Sequence, residues 1–170
     1  MDICFLFGHQ NIKNTKTYKL RGLIKYKLNI YIKYAIQQGY RTFSICELGD
    51  FFTFAYEILE EYKKTFPLQI LVCNVDYILK DSNEDALNYE AILNNIQREA
   101  YSRKSLAEVY KRLIDESSLI ICYSDFFLPN GVVQNCEQYA RKNGKDLQNI
   151  LSVQEYLQLH KIFIEEFKKA

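Results

Sequence analysis

Four short β-rich runs, "CFLF", "TFSIC", "LQILVCNV" and "LIICYS", are set apart by stretches long enough to hold helices. This spacing constrains the fold more than any other feature of the chain. Parallel strands cannot be joined by tight turns and need a crossover of a dozen or more residues, commonly a helix. Between the first two runs, "YKLRGLIKYKLNIYIKYAIQQGY" places Leu20, Leu23, Ile24, Leu28, Tyr31, Tyr34 and Ala35 at three- and four-residue spacing, an amphipathic helix ending near Gly39. "FFTFAYEILEEYKKTF" predicts a second helix, with lysines near its C-terminus. "LQILVCNV" is continuously apolar, as expected of a parallel strand covered on both faces.

Later segments extend the alternation. "SLAEVYKRLIDESS" predicts a helix before "LIICYS", and "GVVQNCEQYARKNGK" predicts another, closed by Asn143-Gly144. "LQNIL" is a short last strand, and Ser152 with Glu155 has capping-box spacing ahead of a terminal helix over residues 152–170. Residues 76–104 are polar and are expected to form an insertion or lid, with a helix around Tyr89 to Ala100. The expectation is one domain over residues 1–170. Its class is α/β, a Rossmann-like three-layer sandwich around a mainly parallel sheet of about five strands.

The chain carries 22 Lys and Arg against 21 Asp and Glu, so no global field draws it to nucleic acid or an acidic membrane. Its opening apolar run is too short to span a bilayer and lacks the flanks of a secretory signal, which makes the cytoplasm the expected address. Five cysteines at 4, 46, 73, 122 and 136 show no metal or redox spacing, and Cys4, Cys73 and Cys122 fall in apolar runs as small core residues. No metal and no cofactor is expected.

Ligands of parallel α/β sheets bind beyond the carboxyl ends of the strands. Three loops should converge there: "FGHQN" with Gly8, His9 and Gln10, "CELGDFF" with Glu47, Gly49 and Asp50, and "SDFFLPNG" with Asn130 and Gly131. Gly8 would let a ligand approach the backbone while His9 reaches it. Gly131 opens a helix whose free N–H groups suit a phosphate, and Glu137 lies behind it on the same helix. Each also has a plain structural alternative: a turn glycine, a loop histidine, carboxylates that favour a helix N-terminus. Cys46 could act as a nucleophile, with His9 its one candidate partner. Neither the dinucleotide-binding glycine fingerprint nor a phosphate loop ending in Gly-Lys-Ser/Thr occurs.

Together these loops resemble the SLOG superfamily, in particular its small YpsA-like bacterial proteins. Phe7, Gly8 and His9 match a first strand ending Phe-Gly-His-Arg, with Gln10 in place of the arginine. Gly49, Phe51 and the helix through Pro67 match a second segment, where Cys46, Glu47 and Phe52 replace Gly, Asn and Asp. Ile114, Ser117, Tyr123, Gly131, Tyr139, Ala140, Gly144 and Lys145 match a third, while Val109, Tyr110, Ser118 and Asn130 depart from it. In the related cytokinin-activating phosphoribohydrolases, a Pro-Gly-Gly loop leads to a catalytic glutamate, and here Pro129, Gly131 and Glu137 correspond while the arginine's place holds Val109.

The resemblance implies a protein binding a nucleotide or nucleotide-derived small molecule, sensing or sequestering it rather than turning it over. His9 would then hydrogen-bond the ligand, Gly131 would take a phosphate, and Glu47 or Asp50 would meet a ribose hydroxyl. One alternative is a hydrolase of N-glycosidic or phosphoribosyl bonds, with Glu137 and His9 as catalytic groups. Another is a degenerate pocket, blocked by Phe52, kept as a scaffold for protein association or a homodimer.

Overall fold

The computed structural model describes residues 2–14, 19–74, 98–125 and 131–169. In chain order the elements are β1 (Ile3–Gly8), α1 (Leu20–Gln37), β2 (Thr42–Cys46), α2 (Gly49–Lys63) and β3 (Gln69–Cys73), followed by α3 (Arg98–Glu116), β4 (Leu119–Tyr123), α4 (Val132–Lys142), β5 (Asp146–Asn149) and α5 (Val153–Lys169). The strands form one sheet in the order β3-β2-β1-β4-β5, and every pairing is parallel. The layout is the Rossmann-like α/β arrangement that the spacing of the apolar runs predicts.

β1 sits at the centre, with Phe5 opposite Ser44 on one side and Ile120 on the other. Because side chains alternate along a strand, β1 feeds two cores. Cys4 and Leu6 pack with Phe43, Ile45 and Ile121 beneath α1, α2 and α5. Phe5 and Phe7 pack with Ile120 and Cys122 beneath α3 and α4, where their rings meet Tyr110. Each buried Phe, Ile or Leu contributes about 1.5–3 kcal/mol. α1 buries Leu20, Ile24, Leu28, Ile32 and Ala35 along one stripe, and its end is closed by Gly39 N–H to Ile36 and Tyr40 N–H to Ala35. Gly144 and Lys145 close α4 in the same way, onto Arg141 and Ala140.

Two expectations change. β3 is an edge strand rather than one covered on both faces, with Leu71 38% and Val72 43% exposed. The helix expected from residue 105 begins at Arg98, inside the span assigned to the insertion. "REAYSRK" is polar but mostly made of good helix formers, so propensity favours a start of α3 at Arg98. The rest of the insertion, and most of the helix expected around Tyr89, lie outside the described residues.

Centre and edge should differ in mutational cost. Ile121→Ala, at a fully buried site in β4, is expected to destabilise the domain by about 2–5 kcal/mol in urea denaturation. Leu71→Ala should cost markedly less, and equal costs would refute the edge position of β3.

Candidate functional site

The order of the strands reverses between β1 and β4, because α1 and α2 carry the chain to one side of β1 and α3 and α4 carry it to the other. That is the switch point at which such sheets open a crevice. His9 stands at its lip. Its Nε2 accepts the backbone N–H of Asp125 at 2.6 Å, and its ring meets Tyr123 edge to face at 5.2 Å. Only a neutral imidazole can accept this bond, so the proton resides on Nδ1. Burial pushes the pKa of His9 below its ordinary 6.5, with the nearby carboxylates of Asp125 and Glu137 pulling more weakly the other way. One of the two ring nitrogens of His9 therefore holds the β4 loop in place.

The neighbouring loops are packed on one another. A Cβ at Gly8 would lie 2.5 Å from the Phe51 ring, so the space above this glycine holds an α2 side chain rather than an approaching ligand. Gly49 has φ +71° and would press a Cβ to 2.6 Å from the backbone of Gln10, so it must be glycine on both counts. The adjacent Asp50 N–H donates to Gln10 C=O at 2.7 Å. Asp50 Oδ2 accepts from Ile12 N–H at 2.8 Å and pairs with Arg21 at 3.0 Å, while Arg21 also donates to Ile12 C=O and lies over the Phe54 ring. Asp50 thus clamps the first loop onto α2.

Glu47 is exposed at the far side of this cluster, its carboxylate accepting from Asn74 at 3.4 Å. Gly131 is the N-cap of α4 in extended backbone, with no side-chain cap. Asn130 lies outside the described residues. Phe52 stacks on Tyr56 along α2 and lines no part of the cleft described next. Cys46 is buried and partners Cys73 on the adjacent strand rather than His9.

The polar cleft lies one strand further on. About 380 Å³ opens beyond the carboxyl ends of β4 and β5, between α4 and the start of α5. Its walls include Ser124, Glu137, Gln138, Arg141, Asn149 and Tyr156. The Ser124 carbonyl accepts from the Tyr156 hydroxyl and from Asn149 Nδ2, the latter at 3.0 Å. Its hydroxyl, on a residue 1% exposed, has no partner in the protein. Glu137 Oε1 accepts from Arg141 Nε and Nη2, both at 3.2 Å. Burial pushes the Tyr156 phenol far up, so it remains a donor.

α5 begins with the expected capping box: Ser152 N–H donates to Glu155 Oε1 at 3.1 Å, and Glu155 N–H donates to Ser152 Oγ at 3.2 Å. Lys27 of α1 pairs with the same glutamate at 2.8 Å and fixes the helix against the domain.

Of the expected site residues, Gly8, Gln10, Gly49 and Asp50 come together, but around one another. Among the described ones, Glu137 alone lines the cleft. Ser124, Arg141, Asn149 and Tyr156 escape the sequence reading, although Ser124 follows the apolar run of β4 directly and Asn149 is the last residue of β5. Among the described residues, no cluster of three or more His, Cys, Asp or Glu is arranged to hold a metal, and no helix is long and apolar enough to cross a membrane. Compared with known proteins, the chain matches no family model and no curated protein.

The His9 tie has a pH signature. An imidazole whose folded pKa lies below its unfolded value stabilises the fold fully above that unfolded value and loses the contribution as pH falls through the folded one. Stability should therefore decline from about pH 8 to about pH 5 more steeply in the wild type than in His9→Asn. Urea denaturation across that range checks this, and parallel profiles would refute a neutral, half-buried His9.

Proposed function

We propose that this chain is a SLOG-type domain that holds a nucleotide or nucleotide-derived small molecule in the cleft beyond β4 and β5, sensing or sequestering it without turnover. The observation that carries this reading is the Ser124 hydroxyl, buried without a protein partner on the wall of a polar cleft at the ligand-binding edge of the sheet. A buried hydroxyl left unsatisfied costs about 1–3 kcal/mol, and a ligand in the cleft would satisfy it by drawing the enclosed Ser124 side chain round towards itself.

The cleft volume of about 380 Å³ falls within the range of small-molecule sites. Amides from Gln138 and Asn149, with the Glu137–Arg141 pair, offer the mixed donors and acceptors that a ribose or base requires. α4 starts nearby at Gly131 with no acidic residue in its first turn, an arrangement that favours a phosphate. Binding is favoured over hydrolysis because Glu137 is paired along its own helix and His9 Nε2 is engaged by a backbone N–H. A cytoplasmic address is consistent with five unpaired thiols.

Ser124→Ala separates binding from structure. Without ligand it should raise the melting temperature, since it removes an unsatisfied hydroxyl. It should also weaken the nucleotide identified by native mass spectrometry of the purified protein by about tenfold, near 1.4 kcal/mol. A clean apo mass, with no thermal shift across a nucleotide panel, would sink the proposal.

A further inference from the structure

A second hydroxyl without a protein partner, Ser44 Oγ in β2, lies on the opposite side of the sheet's centre. It lines a crevice of about 90 Å³ between the β2–β3 edge and α3, which it shares with Cys73, Leu113 and Glu116. That space exceeds what one water needs and is large enough for a molecule of two heavy atoms such as a peroxide, although Ile3, Leu71, Val72 and Leu113 make most of its wall apolar. Cys73 is half-buried at its wall.

Cys46, two residues beyond Ser44, is the register partner of Cys73 in the parallel ladder. Registered residues on neighbouring strands stand about 4.8 Å apart and point to the same face. This lies within the roughly 4.4–6.8 Å between Cα atoms that a disulfide spans. Both thiols are free. They also differ in character. Cys46 is buried while Cys73 is half-buried and reaches the crevice, and the closeness of the two thiols pushes Cys73 down and Cys46 up. Partial burial and Glu116 oppose the lowering at Cys73, while Arg112 adds to it. Cys136, in the same core, is pushed up to about 11 by burial and stays a thiol. Nucleophile and resolving group are thus set side by side, at a mainly apolar crevice that Glu116 and Ser117 also line.

We infer that Cys73 and Cys46 form a peroxide-responsive dithiol. The Cys73 thiolate attacks one oxygen of hydrogen peroxide, the O–O bond breaks, and a sulfenic acid forms while hydroxide departs and is protonated to water. Cys46 then gives up its proton, and its sulfur displaces the sulfenic hydroxyl as a second water to close the Cys46–Cys73 bond. Two thiols lose two electrons in total and one peroxide becomes two waters. The new bond ties β3 to β2 directly before Glu47, whose N–H donates to Cys73 C=O at 2.9 Å.

The test uses the intact wild-type chain, treated with limiting hydrogen peroxide, quenched by alkylation and mapped without reduction. The expected result is a peptide cross-linked through Cys46 and Cys73, with two of the five alkylatable thiols lost and both recovered by dithiothreitol. Cys46→Ser should accumulate a dimedone-reactive sulfenic acid at Cys73, and Cys73→Ser should leave Cys46 reduced. Retention of all five thiols, a bridge from Cys73 to Cys136, or an intermolecular bridge would overturn the inference.

Discussion

The structure depends on β1 being hydrogen-bonded along both edges and buried on both faces. A parallel strand in that position cannot turn back on itself. The helical crossovers must leave on one side towards β2 and arrive on the other at β4, which opens a gap at the strand's carboxyl end. His9 is the first residue past that end, and its bond to Asp125 N–H spans the gap. The bond also fixes the backbone at Ser124, one residue earlier, where the carbonyl meets Tyr156 and Asn149. A run of hydrogen bonds thus reaches from the centre of the sheet to β5 and α5 and forms one wall of the polar cleft.

This arrangement divides the carboxyl edge in two. On the β2 side the chain fills its own space: Phe51 lies over Gly8, Gln10 presses on Gly49, and Asp50 with Arg21 closes the first loop. Polar groups that would suit a ligand there are engaged internally, and their geometry is that of a rigid support. On the β4 side the packing stops short. The α4 and α5 side chains stand apart, and the polar groups between them are only partly satisfied by one another. Rigid support on one flank and incomplete pairing on the other is the combination a binding site requires, because preorganised walls lower the ordering cost of the bound state.

Much of the fold was legible because its signals are local. Apolar runs of strand length, helical stripes such as Leu20-Ile24-Leu28, and the Ser152–Glu155 capping box each declare themselves within a few residues. The edge position of β3 was not legible, since "LQILV" is equally apolar whether one face or both are covered. The site was harder still. Gly8, His9, Gly49 and Asp50 were recognisable as special positions, but a glycine kept for a ligand and one kept for Phe51 look alike in sequence. Asn149 and Tyr156 reach Ser124 only through the placement of β5 and α5, and the register that pairs Cys46 with Cys73 belongs to the ladder and not to their spacing along the chain.

The buried polar atoms left without partners give the strongest reason to treat both clefts as functional. Ser44 Oγ, Ser124 Oγ and Gln148 Oε1 are such atoms among the described residues, and the two serines each line a crevice. Each unsatisfied hydroxyl costs about 1–3 kcal/mol, a substantial share of the roughly 5–15 kcal/mol that holds a domain folded. Alanine at either position would fill nearly the same volume without that cost. Ser44 sits mid-strand among apolar neighbours, where a hydroxyl adds nothing to strand pairing, and Ser124 already has its carbonyl held by two side chains. What a hydroxyl adds at these places, and alanine cannot, is a hydrogen-bonding group enclosed beside a crevice, one side-chain rotation from the space a small molecule would occupy.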